Sequence, residues 1–117
     1  MIEKRRGHYL GTEVDQKWWR RYVKDGFFAR GTGEYWFDKN AFYFHRYLTD
    51  APIVIELKDV IGVRIGRWHS GKWAGGKPVV KLLWGKGSEQ LCSGFVLSPD
   101  QGETEVLVEK IKLLCKN

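Results

Sequence analysis

From Phe27 to Ser98 the chain is a succession of short runs rich in Val, Ile, Phe, Tyr and Trp: FFAR, EYWFD, AFYFHRYL, IVIEL, VIGVRIGRW, PVVKLLW and EQLCSGFVLS. Turn residues separate them: Gly31-Thr32-Gly33, Lys39-Asn40, Asp50-Ala51-Pro52, Lys58-Asp59, the long 69–77 loop and Gly85-Lys86-Gly87. Alternation is visible within the runs, with Ile53, Ile55 and Leu57 set against Val54 and Glu56, as a half-buried strand requires. Seven short strands at near-regular spacing predict an antiparallel barrel or sandwich and not βαβ units.

Helical patterns flank these runs. TEVDQKWWRRYVKDG begins with Thr12 as a cap and with Glu13 and Asp15 in a first turn, where acidic groups suit the helix dipole. Trp18, Tyr22 and Val23 follow at helical spacing, Trp19 lies close by, and Asp25-Gly26 closes the segment. The pattern predicts an amphipathic helix over 12–25, with 1–11 as a flexible tail before it. At the other end, Ser98-Pro99-Asp100 predicts the start of a helix over 99–115. Its apolar stripe of Leu107, Ile111 and Leu114, with Val108 alongside, needs a surface to cover, and an open barrel end would supply one.

The order of strands then helix resembles the pleckstrin-homology-like superfold, and local patterns are similar to its GRAM-type branch. GEYWFDKNAFYFHR looks like that family's aromatic hairpin, IVIELKDVIGVRI its next strand pair, and KLLWGKGSEQLCSGFVL the hairpin before a buried Phe, here Phe95. The resemblance covers residues 27 to 115 and implies a mostly β fold, a barrel of about seven strands with a capping helix. It also implies a non-catalytic intracellular module that binds proteins or anionic lipids, phosphoinositides included. The first hairpin loops, Ala29 to Glu34 and Phe37 to Asn40, hold only two basic and two acidic residues. No phosphate-binding residue is therefore carried over from the family.

At 117 residues the chain has room for one core, and 20 Lys and Arg against 14 Asp and Glu leave it at +6. That balance suits acidic partners and is equally compatible with plain solubility. No segment has the length or the apolar character of a secretion signal or a bilayer span, so the expected location is cytoplasmic. Cys92 and Cys115 lack a CxxC partner, and His8, His45 and His69 lack metal-type spacing. No metal, cofactor or catalytic group is expected on these grounds, and no enzyme.

One stretch does raise a nucleotide. GRWHSGKWAGGKP, residues 66 to 78, contains GxxxxGK twice. A phosphate loop needs Ser or Thr after the Lys and a helix beginning there, whereas Lys72 precedes Trp73, Lys77 precedes Pro78, and a strand pattern follows. What is left is a long connection carrying Arg64, Arg67, Trp68, His69, Lys72, Trp73 and Lys77. Either it is a binding loop, with rings and cations facing a headgroup layer or a base, or the rings fold back onto the barrel and the cations are solvated. The segment around Trp19, Arg20 and Arg21 poses the same choice between a membrane surface and docking. The expected function is binding of a protein partner or an anionic membrane, with nucleic acid through loop 66–78 and helix 17–24 as the alternative. Edge strands would also permit self-association.

Overall fold

A computed structural model describes residues 2–15, 17–22, 30–49 and 51–115. Its strands are β1 (Ile2–Val14), β2 (Lys17–Arg21), β3 (Gly31–Phe37), β4 (Ala41–Arg46), β5 (Ile53–Glu56), β6 (Val60–Gly66), β7 (Trp68–His69), β8 (Lys72–Trp73), β9 (Val79–Lys86) and β10 (Glu89–Val96). A 3-10 turn at Leu57–Asp59 joins β5 to β6, and an α-helix, α1 (Gln101–Cys115), follows β10. Seven strands form one antiparallel path, β5-β4-β3-β1-β10-β9-β6, with β2 paired to β1 off the path; β7 and β8 form a separate hairpin.

The mostly β architecture and the C-terminal helix match the sequence reading. The expected closed barrel does not, because the path ends at β5 and β6, which do not pair with each other. Six of the seven predicted runs coincide with strands. The first, FFAR, falls on 27–29, outside the described residues, and on Arg30, which is irregular.

The N-terminal helix over 12–25 is overturned, and so is the flexible tail over 1–11. Ile2–Val14 is one strand, β1, at the centre of the sheet between β3 and β10. Asp15 adopts a left-handed conformation (φ 53°) and the chain reverses into β2; residues 23–29 lie outside the described part. The physical reason is that KWWRRY also alternates, and short aromatic segments carry strand and helix periods equally well. Tyr22 is buried, its ring edge-on to Trp84 at 6.3 Å.

Strand alternation puts an aromatic core on the inner face. Tyr9, Phe42 and Phe44 surround Phe95 with ring centroids 5.2, 4.8 and 5.5 Å away, and Tyr35 donates its hydroxyl to the Leu97 carbonyl at 3.0 Å. The buried polar groups of this face are satisfied among themselves. Tyr9 and Thr12 hydroxyls share a bond at 2.6 Å, Thr12 and Ser93 another at 2.7 Å, and Trp84 Nε1 donates to Ser93 at 3.0 Å. Satisfied networks of this kind avoid the cost of burying lone polar atoms.

Helix α1 lays Thr104, Leu107, Val108 and Ile111 against β6 and the 3-10 turn. Asp100 caps it, its carboxylate accepting from Glu103 N–H at 2.7 Å, in the manner of an N-cap residue. Asp100→Ala should therefore lower stability by about 1 kcal/mol, measured by urea unfolding; an unchanged midpoint would remove the cap from the account.

Candidate functional site

The site grows from an irregularity in β1. The register with β10 shifts between Tyr9 and Gly11, so Tyr9 faces Phe95 inside, while Gly11 opposes Gly94 and Glu13 opposes Cys92 on the outer face. Two glycines opposite each other leave a floor without side chains, and strand glycines often mark such close approaches. The β7–β8 hairpin lies on that floor. A methyl group on Gly94 would fall on the Cγ and Cδ2 atoms of the His69 ring.

The hairpin has the tightest connection available to two strands. His69 pairs with Lys72, and the two turn residues, Ser70 (φ 55°) and Gly71 (φ 76°), are both left-handed, as type I′ turns require. Three bonds hold the turn down. His69 Nε2 donates to the Gly11 carbonyl at 2.8 Å, Ser70 N–H to Glu13 Oε2 at 2.8 Å, and Arg30 Nη2 to the Ser70 carbonyl at 2.8 Å. Burial pushes the His69 pKa down to about 4, against the opposing pull of Glu13 and of the Gly11 and Cys92 carbonyls, so the ring is neutral near pH 7.

The anchored turn leaves the other hairpin rings outside. Trp68 and Trp73 are 57% and 49% exposed, with centroids 5.9 Å apart. The hairpin thus stands as a ridge between two clefts. On the Trp68 side, a cleft of about 500 Å3 is lined by Glu13, Arg64, His69, Ser70 and Lys81; on the Trp73 side, one of about 560 Å3 is lined by Arg6, His8, Thr32 and Lys77. Arg64 and Lys81 are cross-strand partners on β6 and β9, which sets two cations side by side on the same face.

The expected residues therefore divide. Arg64, Trp68 and His69 meet at one cleft, and Trp73 and Lys77 line the other. Arg67 is tied instead to the start of α1, donating to Gln101 Oε1 at 3.0 Å. The Lys72 and Arg21 side chains lie outside the described residues. Trp19, 63% exposed, and Arg20, which meets Asp15 at 3.4 Å, are on β2 and not on a basic helix. The Trp68 and Trp73 rings do not fold back onto the sheet, as one of the two arrangements for loop 66–78 had them; His69 and Ser70 are the buried residues of the hairpin. Neither GxxxxGK leads into a helix; Lys72 opens β8, and β9 follows Lys77.

Glu13, Lys81, Arg6, Gly11 and Gly94 complete the site; in the sequence Glu13 reads only as a first-turn acid of a helix, and the other four were not singled out. The signals were a lone Lys inside the apolar run VVKLLW and glycines inside the strands YLGT and CSGF. Neither a protein-family model nor a curated protein matches the chain.

Proposed function

We propose that the chain is a non-enzymatic binding module whose contact surface is the β7–β8 hairpin, suited to an anionic membrane layer, phosphoinositide headgroups included. The observation that carries this reading is the exposed Trp68–Trp73 pair on a turn fixed from below by His69 and Ser70. Paired indoles suit the headgroup level of a bilayer, and Arg64, Lys81, Arg6 and Lys77 in the flanking clefts place cations where phosphates would sit. Seven strands in one antiparallel path followed by one helix support a pleckstrin-homology-like fold, with β1 supplying the first strand.

Trp68→Ala/Trp73→Ala should weaken co-sedimentation with vesicles containing anionic lipid at least about tenfold, since two half-exposed rings each contribute on the order of 1–2 kcal/mol of buried area. The melting temperature should hardly move, because neither ring belongs to the core. Wild-type binding should also drop steeply from low to moderate salt. Sedimentation that ignores anionic lipid content, or that survives the double substitution, sinks the membrane reading; capture of single-stranded oligonucleotide in its place would point to nucleic acid.

A protein partner is the second reading, and the ends of the sheet favour it. β5 and β6 each pair on one side only along the path, and both carry an exposed apolar side chain, Val54 and Ile61. Such edges accept a partner strand or a second copy. A monomeric mass at high protein concentration would remove the second-copy version.

A further inference from the structure

We propose that Glu13, His69 and Cys92 form a binding site for one divalent transition-metal ion, zinc by the chemistry of its donors, with its fourth coordination position open to the cleft under Trp68. The three residues come from β1, β7 and β10, are all buried, and hold their ligand atoms within 4.8 Å of one another. Glu13 and Cys92 are direct cross-strand partners, and the hairpin lowers His69 onto them.

The decisive observation is an imidazole nitrogen aimed at a carboxylate with no proton to share. His69 Nε2 spends its hydrogen on the Gly11 carbonyl, which leaves Nδ1 as a lone pair in the neutral ring. Nδ1 is buried, has no hydrogen-bond partner among the described residues, and stands 4.0 Å from Glu13 Oε1. Two electron-rich atoms facing each other in a buried space repel unless a cation lies between them. A metal ion bound between them would meet both lone pairs at once. It does so without charging the ring, and the Nε2–Gly11 bond is the outer contact that orients a ligating His.

The charges of the donors suit the ion. Thiolate, carboxylate and neutral imidazole together neutralise a divalent ion. Sulfur, nitrogen and oxygen donors at zinc bond lengths sit about 3.3–3.6 Å apart around a tetrahedron, so from separations of up to 4.8 Å the three donors must draw together on binding, the Glu13–His69 pair, at 4.0 Å, by roughly half an ångström and the widest pair by about an ångström. Bound metal would join the hairpin to two strands of the sheet.

Equilibrium dialysis of the full chain, stripped with chelator and then exposed to zinc, tests the site. About one ion per chain should bind, with Glu13→Gln and Cys92→Ser each weakening affinity at least about a hundredfold. Both variants keep the side-chain shape, and circular dichroism checks that each is folded. Cobalt substituted for zinc should give a tetrahedral visible spectrum with a thiolate-to-cobalt charge-transfer band, and that band should vanish in Cys92→Ser. Zinc should raise the melting temperature of the wild type and not of the variants. Substoichiometric uptake, a cobalt spectrum without the thiolate band, or Cys92→Ser binding as tightly as wild type would each overturn the proposal.

Discussion

Gly94→Ala should destabilise the protein by about 2–4 kcal/mol and free the β7–β8 hairpin from the sheet. The new methyl falls on the Cγ and Cδ2 atoms of His69 and lies 2.9 Å from its Cβ. A flexible side chain would swing away from such a clash, but this ring is held on both sides. Its Nε2 is bonded to the Gly11 carbonyl, and the next residue's N–H is bonded to Glu13. Expelling the ring breaks two buried hydrogen bonds and leaves the Gly11 carbonyl and the Glu13 carboxylate to find new partners, at about 1–3 kcal/mol for each group left unpaired. Hydrogen exchange across Trp68–Trp73 should rise by more than the global loss of stability accounts for. The mechanism has its own control: in a His69→Ala background the same Gly94→Ala change should cost less than about 1 kcal/mol, because the clashing ring is gone. A melting temperature within about 2 °C of wild type for the single substitution would show that the ring is not pinned.

The same neighbourhood shows what the sequence could and could not carry. The strands β3 to β6, β9 and β10 were legible because alternation and turn residues are local signals, and so was α1, whose cap and apolar stripe lie within one segment. β1 was hidden because MIEKRRGH is charged and its outer face is solvated; only Tyr9, Leu10, Thr12 and Val14 are buried for reasons a pattern might catch. Thr12, Glu13 and Asp15 imitated a helix start. In the fold, Thr12 belongs to the hydroxyl network with Ser93, 81 residues away, and Glu13 holds the turn at Ser70, 57 residues away. The hairpin itself was readable as a connection with rings and cations. Its seat was not, since Gly11 and Gly94 acquire meaning only when β1 and β10 pair with a bulge between them. The same holds for Glu13, His69 and Cys92, which come together from three strands without any ligand spacing in the chain.

Acid should weaken the fold in a window set by His69. Its pKa is about 6.5 in an unfolded chain, and burial brings it down to about 4 in the folded one. A base whose folded pKa is depressed is bound by more protons when unfolded, so its contribution is fully present above pH 6.5 and is lost as pH falls toward 4. The separation corresponds to roughly 3 kcal/mol, approached at about 1.4 kcal/mol per pH unit in the steep part of the range. Below about pH 4 the folded ring also takes a proton, and this group adds nothing further. Asp38 acts in a lower window: bonds from the Asn40 and Ala41 N–H groups hold its carboxyl below its ordinary value of 3.8. The two effects therefore separate along the pH axis. Urea unfolding followed from pH 7.5 to 4 should show the loss in the wild type. His69→Gln should abolish most of it, because glutamine can still donate to the Gly11 carbonyl but cannot titrate. A wild-type stability that stays flat between pH 6.5 and 4.5 would mean that the ring already meets solvent. Such a hairpin would not be held from below, and the outward display of Trp68 and Trp73 would lose its structural basis.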